Sequence, residues 1–310
     1  MVYFGIDSSN YRSSAAAIKS DNTFISSRKL LEVENGKCGL RQSDAVFLHT
    51  KQLPLIVNEV LEGVRDKKIA AISVSSKPRN IDGSYMPCFL SGVSIAKTLA
   101  TALNVPLFEF SHQEGHIAAA LLSANRLDLL DKRFIAFHLS GGTTEALLVS
   151  PDGLGGFNCE IIGKTLDISV GQVIDRVGVM LGLSFPSGVE LEKLALNGTS
   201  IKPIKLCLKG NDLALSGVQN ICERLFKEGN SSEDIAATAL QYVTQSVLQM
   251  ALKFSKEHSD LEFVFSGGVV ANEYFKAEIF KFLPANFASV ELSGDNAVGI
   301  ALLGKLKMEK

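Results

Sequence analysis

Cysteine is scarce in this chain, and what there is does not form metal-binding pairs. The 310 residues include five cysteines, an odd number, widely separated and nowhere arranged as Cys-x-x-Cys. This usage is typical of reduced structural thiols and argues against both a disulfide framework and a metal site built from cysteine. The five are Cys38, Cys88, Cys159, Cys207 and Cys222.

Long apolar runs and a strong net charge are also lacking. No run reaches the roughly 20 residues that a membrane-spanning helix needs. The first ten residues, MVYFGIDSSN, have neither the basic segment nor the cleavage site of a secretory signal. We therefore expect a cytoplasmic protein without membrane contact. The formal net charge of -2 gives no overall attraction to nucleic acid, so any RNA contact would depend on a local basic patch or a partner protein.

Two similar strand patterns indicate a duplicated architecture. The segment YFGID alternates as a strand, is followed by the polar turn SSNYRSS, and resumes as AAAIKS, which predicts a hairpin. Beyond Arg133 the segment FIAFHLSGGTTEALLVSPDG repeats the plan of strand, glycine turn and strand. At 46% hydrophobic residues and this length, the chain can form two packed domains.

Two histidines are spaced for a shared metal site. His112 and His116 lie in the segment SHQEGHIAAALLSAN, and positions i and i+4 of a helix share one face. Two imidazoles on that face can bind one metal ion, and Asp295, in the turn SGDNAVG, is the best candidate for a third ligand. This donor set suits zinc or ferrous iron better than calcium. Taken alone, such a pair is more often a helix-capping histidine beside a solvated one.

Two Ser-Gly-Gly turns follow predicted strands. The first, Ser140 to Gly142, joins two apolar strands, and its amides can hold an anion, although most glycine hairpins serve only as turns. The second, Ser266 to Gly268, follows a buried-strand pattern and precedes a predicted helix start at 269–272, an arrangement typical of nucleotide binding. Asn272 can bind a ribose or a base edge there, or can simply cap the helix.

An acidic residue interrupts an apolar helix pattern. The pattern predicts a helix from Val170 to Leu183, with Asp175 among its apolar positions. A carboxylate in that environment either pairs with Arg176 or Lys193 or faces a cleft. We favour the cleft, where the carboxylate can hold ribose hydroxyls.

In their order along the chain, these motifs resemble the universal tRNA threonylcarbamoyladenosine synthase family, long known as O-sialoglycoprotein endopeptidases or glycoproteases. The resemblance runs nearly end to end and rests on FGIDSS, HQEGH, LSGGTTEALLV, IGKTLDISVGQVIDRVGVMLGLSFPSG, LALSGVQN, FVFSGGVVANEYF and SGDNAVGIALLG. It implies an α/β protein with the actin-like or Hsp70-like ATPase fold, in which two ribonuclease H-like domains surround a central cleft. We expect the domain with the metal helix at 1–132 and the domain with the nucleotide-binding turns at 133–310. The last helix, about 296–310, is expected to pack back on the first domain.

The resemblance also implies a reaction and a set of site residues. In such enzymes the amino group of a tRNA adenosine attacks the carbonyl of threonylcarbamoyl-adenylate and AMP leaves, with one divalent metal ion as Lewis acid. Iron or zinc is expected, with magnesium as a further candidate, and the implied partners are tRNA, adenine nucleotide and further protein subunits. The metal ligands would be His112, His116 and Asp295. The catalytic residues would be Asp7, Ser8 and Ser9, and the substrate and nucleotide would meet His138, Leu139, Ser140, Gly141, Gly142, Asp175, Gly188, Glu192 and Asn272.

Some segments depart from the family pattern. After the first strand the family usually has Glu-Thr-Ser-Cys-Asp-Glu, whereas this chain has Asp7-Ser8-Ser9-Asn10-Tyr11-Arg12, with two fewer carboxylates and an added cation. The family's Gly-Pro-Gly loop is replaced by Lys77-Pro78-Arg79-Asn80. These changes favour an alternative, a non-catalytic paralogue that binds adenine nucleotide and metal as a scaffold or regulatory subunit. A peptidase is not expected, because Glu114 does not follow the first histidine as it does in HExxH.

Overall fold

The computed structural model describes residues 1–9, 11–32, 40–201 and 208–310. Cys38, Cys207 and Asn10 of the first predicted turn lie outside the described residues. The chain forms two compact units. The first consists of Met1–Lys132, Ser150–Asn158 and Gly294–Lys310, and the second consists of Arg133–Val149 and Cys159–Ser293.

The first unit is built on a five-stranded sheet with the order β3-β2-β1-β4-β5. The predicted hairpin is confirmed: β1 and β2 pair antiparallel, and β3 continues on the same side. On the other side, β4 pairs parallel with β1, and β5 pairs parallel with β4. The strands are β1 (Val2–Ser8), β2 (Arg12–Lys19), β3 (Phe24–Leu30), β4 (Ile69–Lys77) and β5 (Leu107–Ser111), and the helices are α1 (Gln42–Gly63), α2 (Phe89–Leu103) and α3 (His112–Ser123).

The centre of this sheet is fully buried. Every residue of β1 is buried, as expected for a strand that has neighbours on both sides and helices packed on the sheet. Phe4 and Ile6 of β1 join Leu53 of α1 and Ala96 of α2 in one apolar cluster. The polar residues at the end of β1 are therefore held in a rigid, water-poor environment.

The second unit repeats this plan with the strand order β12-β11-β6-β7-β8. β6 and β7 pair antiparallel, while β11 pairs parallel with β6 on one side and with β12 on the other. The strands are β6 (Phe134–Leu139), β7 (Thr144–Pro151), β8 (Phe157–Lys164), β9 (Leu208–Lys209), β10 (Asp212–Leu213), β11 (Glu262–Ser266) and β12 (Ala285–Phe287). The helices are α4 (Val170–Met180), α5 (Gly188–Ala195), α6 (Ser216–Lys227), α7 (Ser232–Glu257), α8 (Glu273–Phe280) and α9 (Val290–Ser293), with short 3-10 helices at Leu127–Leu129 and Gly268–Ala271. The predicted duplication is thus present in the two sheets.

The C-terminal helix, α10 (Val298–Glu309), belongs to the first unit and lies very close to β1. A Cβ atom on Gly5 of β1 would lie 2.6 Å from the backbone of Ala297 and Ala301, so only glycine allows this approach. Lys305 of α10 is buried and donates to the carbonyl of Ser20 at 2.6 Å and to Oδ1 of Asn22 at 2.7 Å. These contacts fix the segment just before α10, which includes Asp295. None of the described helices combines the length and apolar character that crossing a membrane requires.

Candidate metal centre and binding loops

Helix α3 begins directly at the first of the two histidines. The hydroxyl of Ser111 accepts from the backbone N–H of Glu114 at 3.2 Å, and the Glu114 carboxylate accepts from the N–H of Ser111 at 2.8 Å. This reciprocal pair is a capping box, which fixes the start of a helix. Ser111, and not a histidine, therefore caps α3. His116 is 6% exposed, so it is not a solvated residue either.

The three predicted metal ligands lie together. Nε2 of His116 lies 2.9 Å from Nε2 of His112 and 3.2 Å from Oδ1 of Asp295, and His112 Nε2 lies 3.6 Å from that oxygen. Ligand atoms that share a metal in tetrahedral geometry, at bond lengths of about 2.0 to 2.1 Å, are roughly 3.3 Å apart. The three separations bracket this value, so the three donor atoms are spaced as ligands of one metal ion would be. Among the described residues, His112, His116 and Asp295 are the one group of His, Cys, Asp or Glu found in such an arrangement.

Attraction between the imidazoles and the carboxylates of this cluster outweighs burial in setting the pKa values of His112 and Asp295. Burial acts to lower the pKa of His112, but the carboxylates of Asp7 and Asp295 outweigh burial and raise that pKa to about 10. Burial likewise acts to raise the pKa of Asp295, but hydrogen bonds with His112 and His116 bring it well below its usual value. A proton therefore occupies the cluster at neutral pH when no metal is bound, and a metal ion would displace it.

Of the three predicted catalytic residues, two contact the candidate ligands. Oδ1 of Asp7 lies 2.8 Å from Nδ1 of His112, and the Ser9 hydroxyl donates to Oδ2 of Asp295 at 2.7 Å. Ser8 instead donates to the carbonyl of Cys88 at 3.1 Å, at the start of α2. The structure brings Asp7 and Ser9 to the candidate ligands and places Ser8 against a helix start.

In the second unit, the two Ser-Gly-Gly turns leave the same edge of the sheet. Ser266 pairs with His138 in the parallel β6–β11 ladder, and Nδ1 of His138 lies 3.4 Å from the Ser266 hydroxyl. Gly267 has a φ of 97°, in the left-handed region, where a side chain would meet the backbone of Leu139. His138 and Leu139 therefore lie where both turns begin.

The first turn is attached to the start of α4. The Ser169 hydroxyl, which caps α4, donates to the carbonyl of Gly141 at 2.8 Å. A Cβ atom on Gly171 would lie 2.6 Å from the carbonyl oxygen of Ser140, so glycine permits this contact too. Gly142 is exposed, and a Cβ atom added to it would meet none of the described residues within 4 Å. Free amides beside a helix N-terminus form a favourable place for an anion.

Asp175 lies next to this turn. Its Oδ2 is 3.9 Å from the position of a Cβ on Gly141, and its Oδ1 accepts from the N–H of Ser187 at 2.8 Å. Burial raises the pKa of the Asp175 carboxyl, and the bond from Ser187 only partly offsets that effect. Arg176, one of the two ion-pair partners considered from the sequence, donates instead to Gln219 at 3.1 Å. Ser187 directly precedes Gly188, so these residues form one cluster with the first turn.

Glu192 and Asn272 form a separate cluster at the start of α8. Oδ1 of Asn272 accepts from the N–H of Phe275 at 2.8 Å, and Oε1 of Glu192 accepts from the N–H of Glu273 at 2.8 Å. Asn272 thus takes the capping role that the sequence left open. The helix predicted to start at 269–272 begins later, because Gly268–Ala271 forms a 3-10 helix and Asn272 is extended. That correction separates the second glycine turn from the N-terminus of α8.

Known proteins match the chain along nearly its whole length. Residues 26–302 match the family model described as TsaD, tRNA N6-adenosine threonylcarbamoyltransferase. The chain belongs to this family. A family protein of that name from Dictyoglomus turgidum is 31% identical over 98% of this chain and 92% of its own length. Another, from Listeria welshimeri, is 30% identical over 98% of this chain and 90% of its own length.

Solved structures of other proteins superpose on this chain and show its fold. Component A of the (R)-2-hydroxyglutaryl-CoA dehydratase from Acidaminococcus fermentans superposes with a TM-score of 0.58 at 15% identity, over the full length of both chains. A glucokinase of the ROK family from Streptomyces griseus superposes with a TM-score of 0.56 at 10% identity, again over both full lengths. The predicted actin-like or Hsp70-like ATPase fold is confirmed.

The sequence analysis did not identify two buried polar residues near the candidate metal ligands. Ser75 of β4 is buried and donates to Oδ1 of Asp7 at 2.5 Å. His49 of α1 is fully buried and donates from Nε2 to the carbonyl of Ser9 at 2.7 Å. Each is a lone polar residue inside an apolar strand or helix pattern. This feature could have identified them, because a buried polar residue needs a hydrogen-bond partner.

One departure from the family pattern, Arg12, lies beside the candidate ligands. Arg12, at the start of β2, donates from Nη1 to the backbone carbonyl of Asp295 at 3.4 Å. Burial lowers the pKa of this guanidinium, and Arg28 acts in the same direction while Asp295 opposes both. Arg12 thus places a cation beside one of the candidate ligands.

Proposed function

We propose that this protein transfers the threonylcarbamoyl group from threonylcarbamoyl-adenylate to an adenosine of tRNA. Family membership supports a transferase that acts on tRNA, because the relatives bear that name. The observation that carries the metal-dependent form of the proposal is the cluster of His112, His116 and Asp295. The scaffold alternative is not favoured, since the matching relatives are named as transferases.

The donor set of the cluster decides which ion would be held. Two imidazole nitrogens and one carboxylate oxygen suit iron or zinc better than magnesium, which prefers oxygen ligands and water. Three protein ligands leave room for a further ligand, as in catalytic sites. The bound ion would supply Lewis-acid polarisation of the acyl donor.

The first glycine turn of the second unit is proposed to hold the adenylate phosphate. Gly141 and Gly142 are exposed residues next to the N-terminus of α4, where backbone N–H groups and the helix dipole favour an anion. Asp175 lies beside the turn and has one oxygen, Oδ2, directed toward Gly141, where it can accept from a ribose hydroxyl. His138, Leu139 and Gly188 would line the same site.

The proposed reaction needs no covalent intermediate on the protein. A bond forms between the adenosine amino nitrogen and the carbamoyl carbon, and the mixed-anhydride bond between that carbon and the AMP oxygen breaks. The amino nitrogen loses a proton, and AMP leaves as the anion that the amides of the glycine turn stabilise.

Partner subunits are part of the proposal. The net charge of -2 gives the chain no general attraction to tRNA, so a local basic surface or another protein has to supply it. We propose that the protein works in the cytoplasm with further subunits of the threonylcarbamoylation machinery.

The test is transfer of radiolabelled threonylcarbamoyl from the adenylate to unmodified tRNA, with and without candidate partner subunits. Labelled tRNA formed by the wild type and lost in His112→Ala, together with at least a tenfold loss of bound metal, is the expected result. His258→Ala is the matched control, since that histidine lies at the end of α7. Full activity of His112→Ala in metal-free buffer would overturn the metal-dependent mechanism.

A further inference from the structure

A buried carboxylate on β1, that of Asp7, contacts the candidate metal helix at His112. We propose that Asp7 is a positioning residue that fixes His112 as a metal ligand, and that Ser75 fixes Asp7. This inference rests on the proposed function, because it takes the cluster of His112, His116 and Asp295 as a metal site. It changes the expected role of Asp7, which would act through His112 and would not touch the substrate.

Burial separates Asp7 from any substrate. Asp7 is 0% exposed, and its Oδ1 is shared between Nδ1 of His112 at 2.8 Å and the hydroxyl of Ser75 at 2.5 Å. Its Oδ2 has no hydrogen-bond partner within the described part of the chain. A buried carboxylate that is incompletely hydrogen-bonded depends on a nearby positive charge. A cation bound by His112, His116 and Asp295 would supply that charge.

The contact also decides which nitrogen of His112 can bind metal. A carboxylate accepts hydrogen bonds, so the proton of neutral His112 lies on Nδ1, facing Asp7. The lone pair is then on Nε2, which is the nitrogen that faces His116 and Asp295. Without Asp7, the proton could occupy Nε2 and block the ligand atom. A negative partner also makes the imidazole a more basic ligand.

A second contact, made by the residue directly after β1, acts on the candidate carboxylate ligand. The Ser9 hydroxyl donates to Oδ2 of Asp295 at 2.7 Å, which leaves Oδ1 directed toward the two histidines. His49 donates to the Ser9 carbonyl at 2.7 Å, and the Ser13 hydroxyl lies 2.7 Å from the other nitrogen of His49. The end of β1 thus orients ligands from two different segments, α3 and the turn before α10.

The test compares variants of the full-length protein by metal affinity. Competition with a chromogenic chelator gives the affinity for Zn²⁺, and Co²⁺ absorption reports the coordination geometry. Asp7→Asn is expected to weaken Zn²⁺ binding by about 10- to 100-fold and to alter the Co²⁺ spectrum, as loss of such outer partners typically does. Asp7→Glu, which keeps the carboxylate, is expected to recover part of the affinity.

Two further variants make the result decisive if Asp7→Asn folds poorly. Ser75→Ala removes one bond to Asp7 and is expected to weaken Zn²⁺ binding by about threefold to tenfold, below the range for a direct partner. Ser73→Ala is the matched control: it removes an equally buried hydroxyl two residues earlier on β4 that has no hydrogen-bond partner within the described residues. Its metal affinity is expected to equal that of the wild type.

The outcomes separate this inference from the proposed function. If His112→Ala abolishes Zn²⁺ binding while folded Asp7→Asn and Ser75→Ala bind as the wild type does, the positioning role is wrong and the metal site stands. If Asp7→Asn loses transfer activity with unchanged Zn²⁺ affinity and Co²⁺ spectrum, Asp7 acts on the substrate and the inference is overturned. If His112→Ala leaves Zn²⁺ binding unchanged, the metal site itself is wrong.

Discussion

Ser9 donates a hydrogen bond of 2.7 Å to Asp295, although the two residues lie near opposite ends of the chain. Ser9 directly follows β1, and Asp295 lies in the turn before α10, which packs on β1 through Gly5. The position of a candidate metal ligand is therefore set by the contact between the first strand and the last helix. Two predictions test the parts of this arrangement.

Replacing Ser9 with alanine should weaken metal binding without removing a ligand. The Asp295 carboxylate loses its bond at Oδ2 and can rotate away from His112 and His116, and outer partners of this kind typically contribute about tenfold or more to affinity. Chelator competition with Zn²⁺ measures the effect, and Ser73→Ala is again the control. Equal affinities of Ser9→Ala and the wild type would show that the contact does not orient Asp295.

Replacing Gly5 with alanine should destabilise the first unit. The new Cβ would lie 2.6 Å from backbone atoms of α10, which cannot move as a side chain can, and overpacking of this kind costs about 1 to 3 kcal/mol. Urea denaturation measures the free energy of unfolding. Gly217→Ala, in α6, is the matched control because no described residue lies within 4 Å of its added Cβ, and it should be neutral or slightly stabilising. A similar stability of both variants would contradict the close packing of α10 on β1.

The sequence predicted the parts of the site that depend on local patterns. His112 and His116 are found from spacing alone, because the helix repeat puts i and i+4 on one face. The strands of both sheets follow from short apolar runs bounded by turn residues. Asp295 was named as a candidate from its acidic turn, but no local pattern connects that turn with α3, so the contact of Asp295 with the two histidines is seen only in the fold.

The supporting contacts could not be predicted because they depend on strand register. Ser75 reaches Asp7 only because β4 pairs parallel with β1, with Ile6 beside Val74. One residue of slip would turn Ser75 to the opposite face of the sheet. The start of α8 was misplaced for a local reason, since residues Gly268–Ala271 form a separate 3-10 helix and Asn272 caps the α-helix that follows. Caps and register are the features that a single sequence specifies least well.

The stability of the second unit should depend on pH through Asp167. Burial acts to raise its pKa, but hydrogen bonds from Ser216, Leu215 and Ile168 lower the pKa to about 2. A carboxyl whose pKa is lower in the folded than in the unfolded state stabilises the fold above about pH 4, and this contribution is lost as the pH falls toward 2. Because Asp167 is exposed, we expect Asp167→Asn to lower the free energy of unfolding by only about 1 kcal/mol at pH 7.

The measurement for Asp167 is urea denaturation at several pH values between 2 and 7. The difference between Asp167→Asn and the wild type should shrink as the pH falls below about 4. Asp260→Asn, at an exposed turn after α7, is the matched surface control for the substitution itself. A difference that stays constant with pH would mean that the charge of Asp167 does not contribute.

The bond from Ser169 to the first glycine turn allows nucleotide binding to be tested separately from helix capping. Ser169 caps α4 and also holds the carbonyl of Gly141 at 2.8 Å, whereas Ser231 caps α7 by accepting from Asp234 at 3.1 Å. Replacing either serine with alanine should cost about 1 kcal/mol of stability, the usual contribution of a cap. Only Ser169→Ala frees the turn, so only this variant should lose AMP affinity.

Calorimetric titration of AMP into the two cap variants tests this difference. We expect the dissociation constant of Ser169→Ala to rise about tenfold, which corresponds to roughly 1.4 kcal/mol, and that of Ser231→Ala to remain unchanged. The similar loss of stability in both variants removes general unfolding as an explanation, because the cap is lost in each case. Equal AMP affinities would mean that the amides of Gly141 and Gly142 do not hold the phosphate, and the nucleotide site would then have to be sought elsewhere in the second unit.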